Sequence, residues 1–148
     1  MAYLLTFLWS LPSGFLWIFN AEAMVVAQVS ASPDVAPWLI ALVTVTGQFL
    51  GYGALYHFAR RVLARFAFVQ RAASKVQIKQ PGWGTWIMFV TGGLCGIPPL
   101  LALFTLCGAA RVKPVSTLIL CALPGRFAWY MGWAYAPDFL RETFGWKG

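Results

Sequence analysis

The chain has 148 residues, 60% of them apolar and 10% charged, a composition that excludes an ordinary soluble domain and predicts an integral membrane protein. Eleven Lys and Arg stand against four acids, and six of the eleven fall between Arg60 and Lys79. Charge clustered in this way reports membrane topology rather than a nucleic-acid-binding face.

The first apolar stretch, Met1 to Ser30, would as a single helix run about 45 Å, against a hydrocarbon core about 30 Å thick. It is too long to cross once and too short to cross twice. Pro12, Ser13, Gly14 and Asn20 interrupt it, and proline removes a backbone donor and clashes with the preceding turn. Two half-length helices meeting at a tip, a re-entrant hairpin, are therefore predicted. Ala21-Glu22-Ala23 imitates a leader-cleavage site, but no Lys or Arg precedes the apolar run, so the segment is expected to be retained.

Ala36 to Phe58 carries no formal charge and has the length of a first span. Gly47 and Gly51 give it a Gly-x-x-x-Gly face, suited to close helix packing within the chain or, alternatively, to a homodimer. Tyr56, His57 and Arg60 close this span, and a lone histidine suggests no metal site.

The connector, residues 59–80, holds six basic residues and no acid, which places it in the cytoplasm. Val62, Phe66, Val69, Ala73 and Val76 recur at helical spacing, predicting one amphipathic helix along the inner surface. A second 30-residue stretch, Pro81 to Ala110, is broken at Gly96, Pro98 and Pro99 and predicts a second hairpin. Pro114 to Ala136 is the second span, apolar except for Arg126. Trp38, Trp83, Trp86, Trp129 and Trp133 are expected to anchor in the headgroup region.

The expected fold is thus an all-α polytopic membrane protein with one membrane domain, residues 1–148. A hairpin and span (1–58) and a second hairpin and span (81–148) form an inverted repeat whose halves share segment order rather than obvious residue identity. Folds of this kind place binding sites near the midplane. Glu22 and Arg126 are ionisable residues at expected membrane depth, so each should face the interior, and they are candidate partners. Two readings of the pair are open. It either fixes how the first hairpin docks, or Glu22 exchanges a proton while Arg126 offers a planar cationic fork to a phosphate. Asn20 is either a helix cap or a polar wall of that site. Cys95, Cys107 and Cys121 form no close pair, and neither a metal nor a cofactor is expected. No nucleophile with its base is evident, so the chain is not expected to be an enzyme.

These residues resemble the DedA superfamily, also called the VTT or SNARE-associated domain family, and especially its short YqaA-like branch. Asn20-Ala21-Glu22 stands where the family has a small-residue-plus-Glu motif in the first hairpin. Gly47, Gly51, Tyr56, Ala59 and Arg60 are similar to its glycine-rich first span, with alanine in place of the last glycine. Cys107, Gly108 and Arg111 are similar to its small-Gly-x-x-Arg stretch, and Gly125-Arg126-Phe127 with Tyr130 to the last span of the short branch. One departure stands out. The family usually carries an Arg or Asp beside the second hairpin tip, whereas Leu94 to Leu101 holds no ionisable group, leaving Arg126 to replace it. The resemblance implies a protein of a bacterial inner membrane that moves a lipid-like anion, a polyprenyl phosphate or a phospholipid, with proton involvement. Its partners would be membrane lipids, that substrate and protons, with no nucleic acid. The alternative is a non-transporting structural or partner-binding membrane protein.

Overall fold

Proline and glycine set most of the helix ends. The computed structural model describes residues 1–14, 16, 18–32, 34–75, 82–97, 99–111 and 115–144. Among them there are seven α-helices and no strand. Helix α1 (Ala2–Ser13) takes Pro12 into its last turn and stops at Gly14, and α2 (Ala21–Ala31) starts after the cap Asn20. At 12 and 11 residues, the two are each about 17 Å long, half of a bilayer core. Helix α3 (Pro37–Arg61) opens with proline at its first position, where the missing donor is harmless. A 3₁₀ turn (Leu63–Arg65) and the short α4 (Ala67–Lys75) follow.

Helix α5 (Trp83–Cys95) ends at Gly96, whose φ of 72° is left-handed and suits a residue without Cβ. Pro99 precedes α6 (Leu100–Ala109), while Pro98, expected at the same tip, lies outside the described residues. Helix α7 (Val115–Phe144) runs on through Pro124 and Pro137. Both predicted breaks therefore exist, and α7 extends eight residues past the expected end at Ala136.

The long helices carry the half-length ones. The Ala36 N–H donates to the Tyr3 hydroxyl (3.3 Å), and Leu11 abuts Gly51, so α1 lies along the first half of α3 and points the same way. Gly14 then meets the Gln48 carbonyl and the Tyr52 ring, which puts the first tip level with the middle of α3. In the second half of the chain, α5 lies on α7 through Gly93 against Ala122, and through Val90 and Leu94 against Gly125. The remaining helices cross over: α2 packs on α7 and α6 on α3. Phe104 of α6 stacks on Tyr52 (centroids 5.2 Å apart, 6° between planes) and meets Phe89 edge-on at 5.1 Å. Tyr56 and Tyr130 are fully buried.

Two expectations require correction. The connector is not one amphipathic helix over 59–80: α3 holds residues 59–61, with Ala59 buried, and the chain then turns at Val62 to Phe66. The apolar stripe divides at that turn, leaving Val69 buried and Val62 and Phe66 exposed, and its last member Val76 lies outside the described residues. The Gly47–Gly51 face is not open to a second copy either. A Cβ at Gly47 would meet Ser10 and the Phe7 carbonyl, and one at Gly51 the Leu11 carbonyl, so this face is filled by the chain's own α1.

The outer surface is rich in large apolar side chains, among them Leu4, Leu8, Leu42, Leu50 and Leu120. One described helix, α3 with its 3₁₀ extension (residues 37–65), is both long and apolar enough to cross a membrane. Helix α7 has the length, but Arg126 lies within its most apolar stretch.

Candidate functional site

The first tip brings Glu22 to the centre of the molecule. Asn20 takes extended backbone (φ −62°, ψ 110°), and its Oδ1 accepts from the Ala23 N–H at 3.0 Å, satisfying an otherwise unpaired donor of the first turn. The Trp9 indole donates to the Asn20 carbonyl (3.4 Å) and its ring meets Phe19 edge-on, tying α1 to the start of α2. Asn20 is exposed and serves as a cap, its side chain bonded to the helix it starts. Asn20→Ala should therefore lower stability by about 1 kcal/mol without changing which residue partners Arg126, as thermal unfolding of the purified protein would read.

Glu22, in the first turn of α2, has a carboxylate favoured by the helix N-terminus. Its Oε1 accepts from Arg126 Nη2 at 3.0 Å and from Trp129 Nε1 at 3.0 Å. The expected partnership of Glu22 and Arg126 is thus present, with side chains 24% and 11% exposed. Arg126 Nε donates to Gln48 Oε1 (2.9 Å), and Nη2 donates also to the Tyr130 hydroxyl (3.1 Å). Tyr130, one turn further along α7, holds the guanidinium 4.9 Å above its ring and donates its own proton to Gln48 Oε1 at 2.9 Å. Gln48 Nε2 reaches Ser13 Oγ at 3.4 Å, and Ser13 donates to the Ser10 carbonyl, so the network ends in α1.

Among the described residues, no buried side-chain nitrogen or oxygen lacks a partner, and none donates to Glu22 Oε2. The Glu22 side chain is partly exposed. Among the described residues, one carboxylate oxygen is held by two donors and the other by none.

Of the other expected site residues, Gly14 and Gly51 line the contact between the tip and α3, Pro12 lies in the last turn of α1, and Gly47 packs on Ser10 beside Gln48. Pro99 is exposed at the second tip and makes no hydrogen bond to the polar network among those of the described residues. Sequence reasoning passes over Gln48, an uncharged polar residue within the first span, and places Trp129 in the headgroup region. The structure buries Gln48 to 3% and aims the Trp129 indole at Glu22.

A signal for Gln48 does exist in the sequence. Gly47, Gln48, Phe49 and Tyr52 recur 78 residues later as Gly125, Arg126, Phe127 and Tyr130. Gln48 stands eleven residues after the start of α3, and Arg126 eleven after the start of α7. The halves thus share residues as well as segment order, and the two equivalent side chains are hydrogen-bonded to each other. Each motif glycine also admits the first helix of its own hairpin, Gly47 against Phe7 and Ser10, Gly125 against Val90 and Gly93. No family model, curated protein or solved structure matches the chain.

Proposed function

We propose that the chain is a polytopic membrane protein of the DedA-like kind, which moves an anionic, lipid-like substrate such as a polyprenyl phosphate or a phospholipid across a bacterial inner membrane together with a proton. The half-open carboxylate of Glu22 carries this reading: one oxygen is bound to Arg126 and Trp129, no donor among the described residues reaches the other, and the side chain is partly exposed. The exposed apolar surface supports the membrane placement, since leucines turned outward on several helices suit lipid better than water. The doubled Gly-[Gln/Arg]-Phe-x-x-Tyr motif and the crossed packing of α2 on α7 and α6 on α3 support an inverted repeat, with α7 as the second span. Arg126 stands about 17 Å from the start of α7, near the middle of a 30 Å core.

The coupling follows from competition for one cation. With Glu22 ionised, Arg126 Nη2 is occupied by the carboxylate. A proton arriving at the open oxygen removes that charge and frees the guanidinium, which Gln48 and Tyr130 still hold in place. Arg126 then presents a planar fork to a phosphate. Loss of the proton restores the carboxylate, which displaces the anion. Proton and substrate therefore raise each other's affinity by the same factor.

The test is reconstitution of the purified protein into liposomes containing a fluorescent polyprenyl phosphate, with an imposed pH gradient. Wild type should move the lipid faster with the gradient than without it, and Glu22→Gln should keep its fold and lose that dependence. Gradient-driven movement in Glu22→Gln equal to wild type, or none in wild type, would overturn the proposal. The second reading, a structural membrane protein, is favoured by the closed hydrogen bonding of Arg126, Gln48 and Tyr130; it predicts that Glu22→Gln lowers stability while wild type moves no lipid.

A further inference from the structure

A second cluster of guanidiniums lies at the basic end of the molecule. A cleft of about 580 Å³ is lined by His57, Arg60, Arg61, Arg65 and Arg111. Arg60 and Arg61 occupy the last turn of α3, where cations complement the helix dipole, and the 3₁₀ turn brings Arg65 back beside them. Arg111 arrives from another part of the chain. Gly108 lets α6 approach the Tyr56 carbonyl closely, and three residues on Arg111 adopts left-handed backbone (φ 58°), its N–H donating to the Gly108 carbonyl at 3.0 Å. A side chain in that region is strained, and such strain concentrates where a residue is needed at one place.

Four guanidiniums sharing one cleft repel each other unless an anion joins them. The Glu22–Arg126 pair lies about a dozen residues along α3 from this cleft, level with Gln48, and among the described residues no carboxylate lines the cleft. Asp34 precedes α3 at its opposite end, and Asp138 lies well over 30 Å along α7 from its start beside Arg111. Planar guanidiniums bind phosphate oxygens two at a time, and a volume of several hundred Å³ suits a headgroup. Phe58, Val62 and Phe66, next to these arginines in sequence, are exposed apolar side chains that acyl chains would cover.

We propose that this cleft binds a phosphate group carrying two negative charges, such as the phosphomonoester head of a membrane lipid, as a site separate from Glu22 and Arg126. The lipid source rests on the membrane placement proposed above, whereas phosphate binding does not. The experiment is calorimetric titration of the full-length protein in neutral detergent with dioctanoyl phosphatidic acid, dioctanoyl phosphatidylcholine and inorganic pyrophosphate. Phosphatidic acid should bind about tenfold or more tighter than phosphatidylcholine. The exposed pair Arg61→Gln/Arg65→Gln should weaken it by about tenfold or more, and Arg71→Gln, an exposed charge on α4 outside the cleft, by less than about twofold. Pyrophosphate bound as tightly and lost in the same variant would keep the site and assign it to free phosphate. Equal binding of the two lipids, or equal losses in the cleft and α4 variants, would overturn it. The part of the titration removed by Arg61→Gln/Arg65→Gln should persist in Glu22→Gln, whatever binding the freed Arg126 adds, so this site and the transport proposal stand or fall apart.

Discussion

Arg126→Met should destabilise the protein by about 1–3 kcal/mol, because it leaves a partly buried carboxylate without its cation. Methionine keeps most of the apolar stem, so packing changes little and the loss is electrostatic. The Glu22 carboxylate keeps the Trp129 indole as its one donor, and Gln48 Oε1 retains only the Tyr130 hydroxyl. The double variant Glu22→Gln/Arg126→Met should recover much of that loss, since removing both charges costs less than stranding one. Arg126→Lys should fall between, keeping the charge but not a fork that reaches Glu22, Gln48 and Tyr130 together. Thermal unfolding of wild type, Glu22→Gln, Arg126→Met and the double variant in one detergent gives the cycle directly. Additive losses in the double variant would mean that the two residues stabilise the fold independently, and the competition for Arg126 on which proton coupling depends would lose its basis.

Much of the architecture is legible in the sequence because it rests on local chemistry. Pro12 with Gly14, and Gly96 with Pro99, cluster breakers at the two tips, whereas a single proline such as Pro137 leaves α7 intact, and the apolar lengths between them fix which helices are half-length. Glu22 and Arg126 are legible for a related reason, as charges in apolar surroundings need each other. The connector is different. Its apolar residues do recur at helical spacing, but that spacing is equally met by the end of α3 and by α4 with a turn between them, and only tertiary contact decides. Gln48 escapes notice because it carries no charge; its role appears once its register with Arg126 is recognised. Trp129 is a matter of rotation. An indole near the middle of a long helix can face lipid or the interior, and Trp129, three residues after Arg126, shares the face of α7 that meets Glu22 and so turns inward.

Gly51→Ala should cost about 1–3 kcal/mol or more although it adds a single methyl group. The added carbon would fall on the Leu11 carbonyl, a backbone atom with no rotamer to escape into, so α1 must move away from α3. Gly93→Ala sets the same conflict in the second half, where the added Cβ would lie 2.5 Å from the Ala122 carbonyl, and the double variant should lose the sum. Gly53→Ala and Gly132→Ala provide the opposite sign: both glycines lie within the long helices with open space around them, and alanine there should stabilise by up to about 1 kcal/mol. The functional consequence separates the two halves. Displacing α1 also shifts the tip that carries Glu22, because Gly14 rests on Gln48 and Tyr52 and Trp9 holds the Asn20 carbonyl. On the transport function proposed above, Gly51→Ala should therefore lose gradient-driven lipid movement at temperatures where it remains folded. Gly93→Ala, whose own tip between Cys95 and Pro99 bears no ionisable group, should retain more of that movement for an equal fall in melting temperature. Equal loss of movement in both variants at matched stability would show that Glu22 has no special place in the transport cycle.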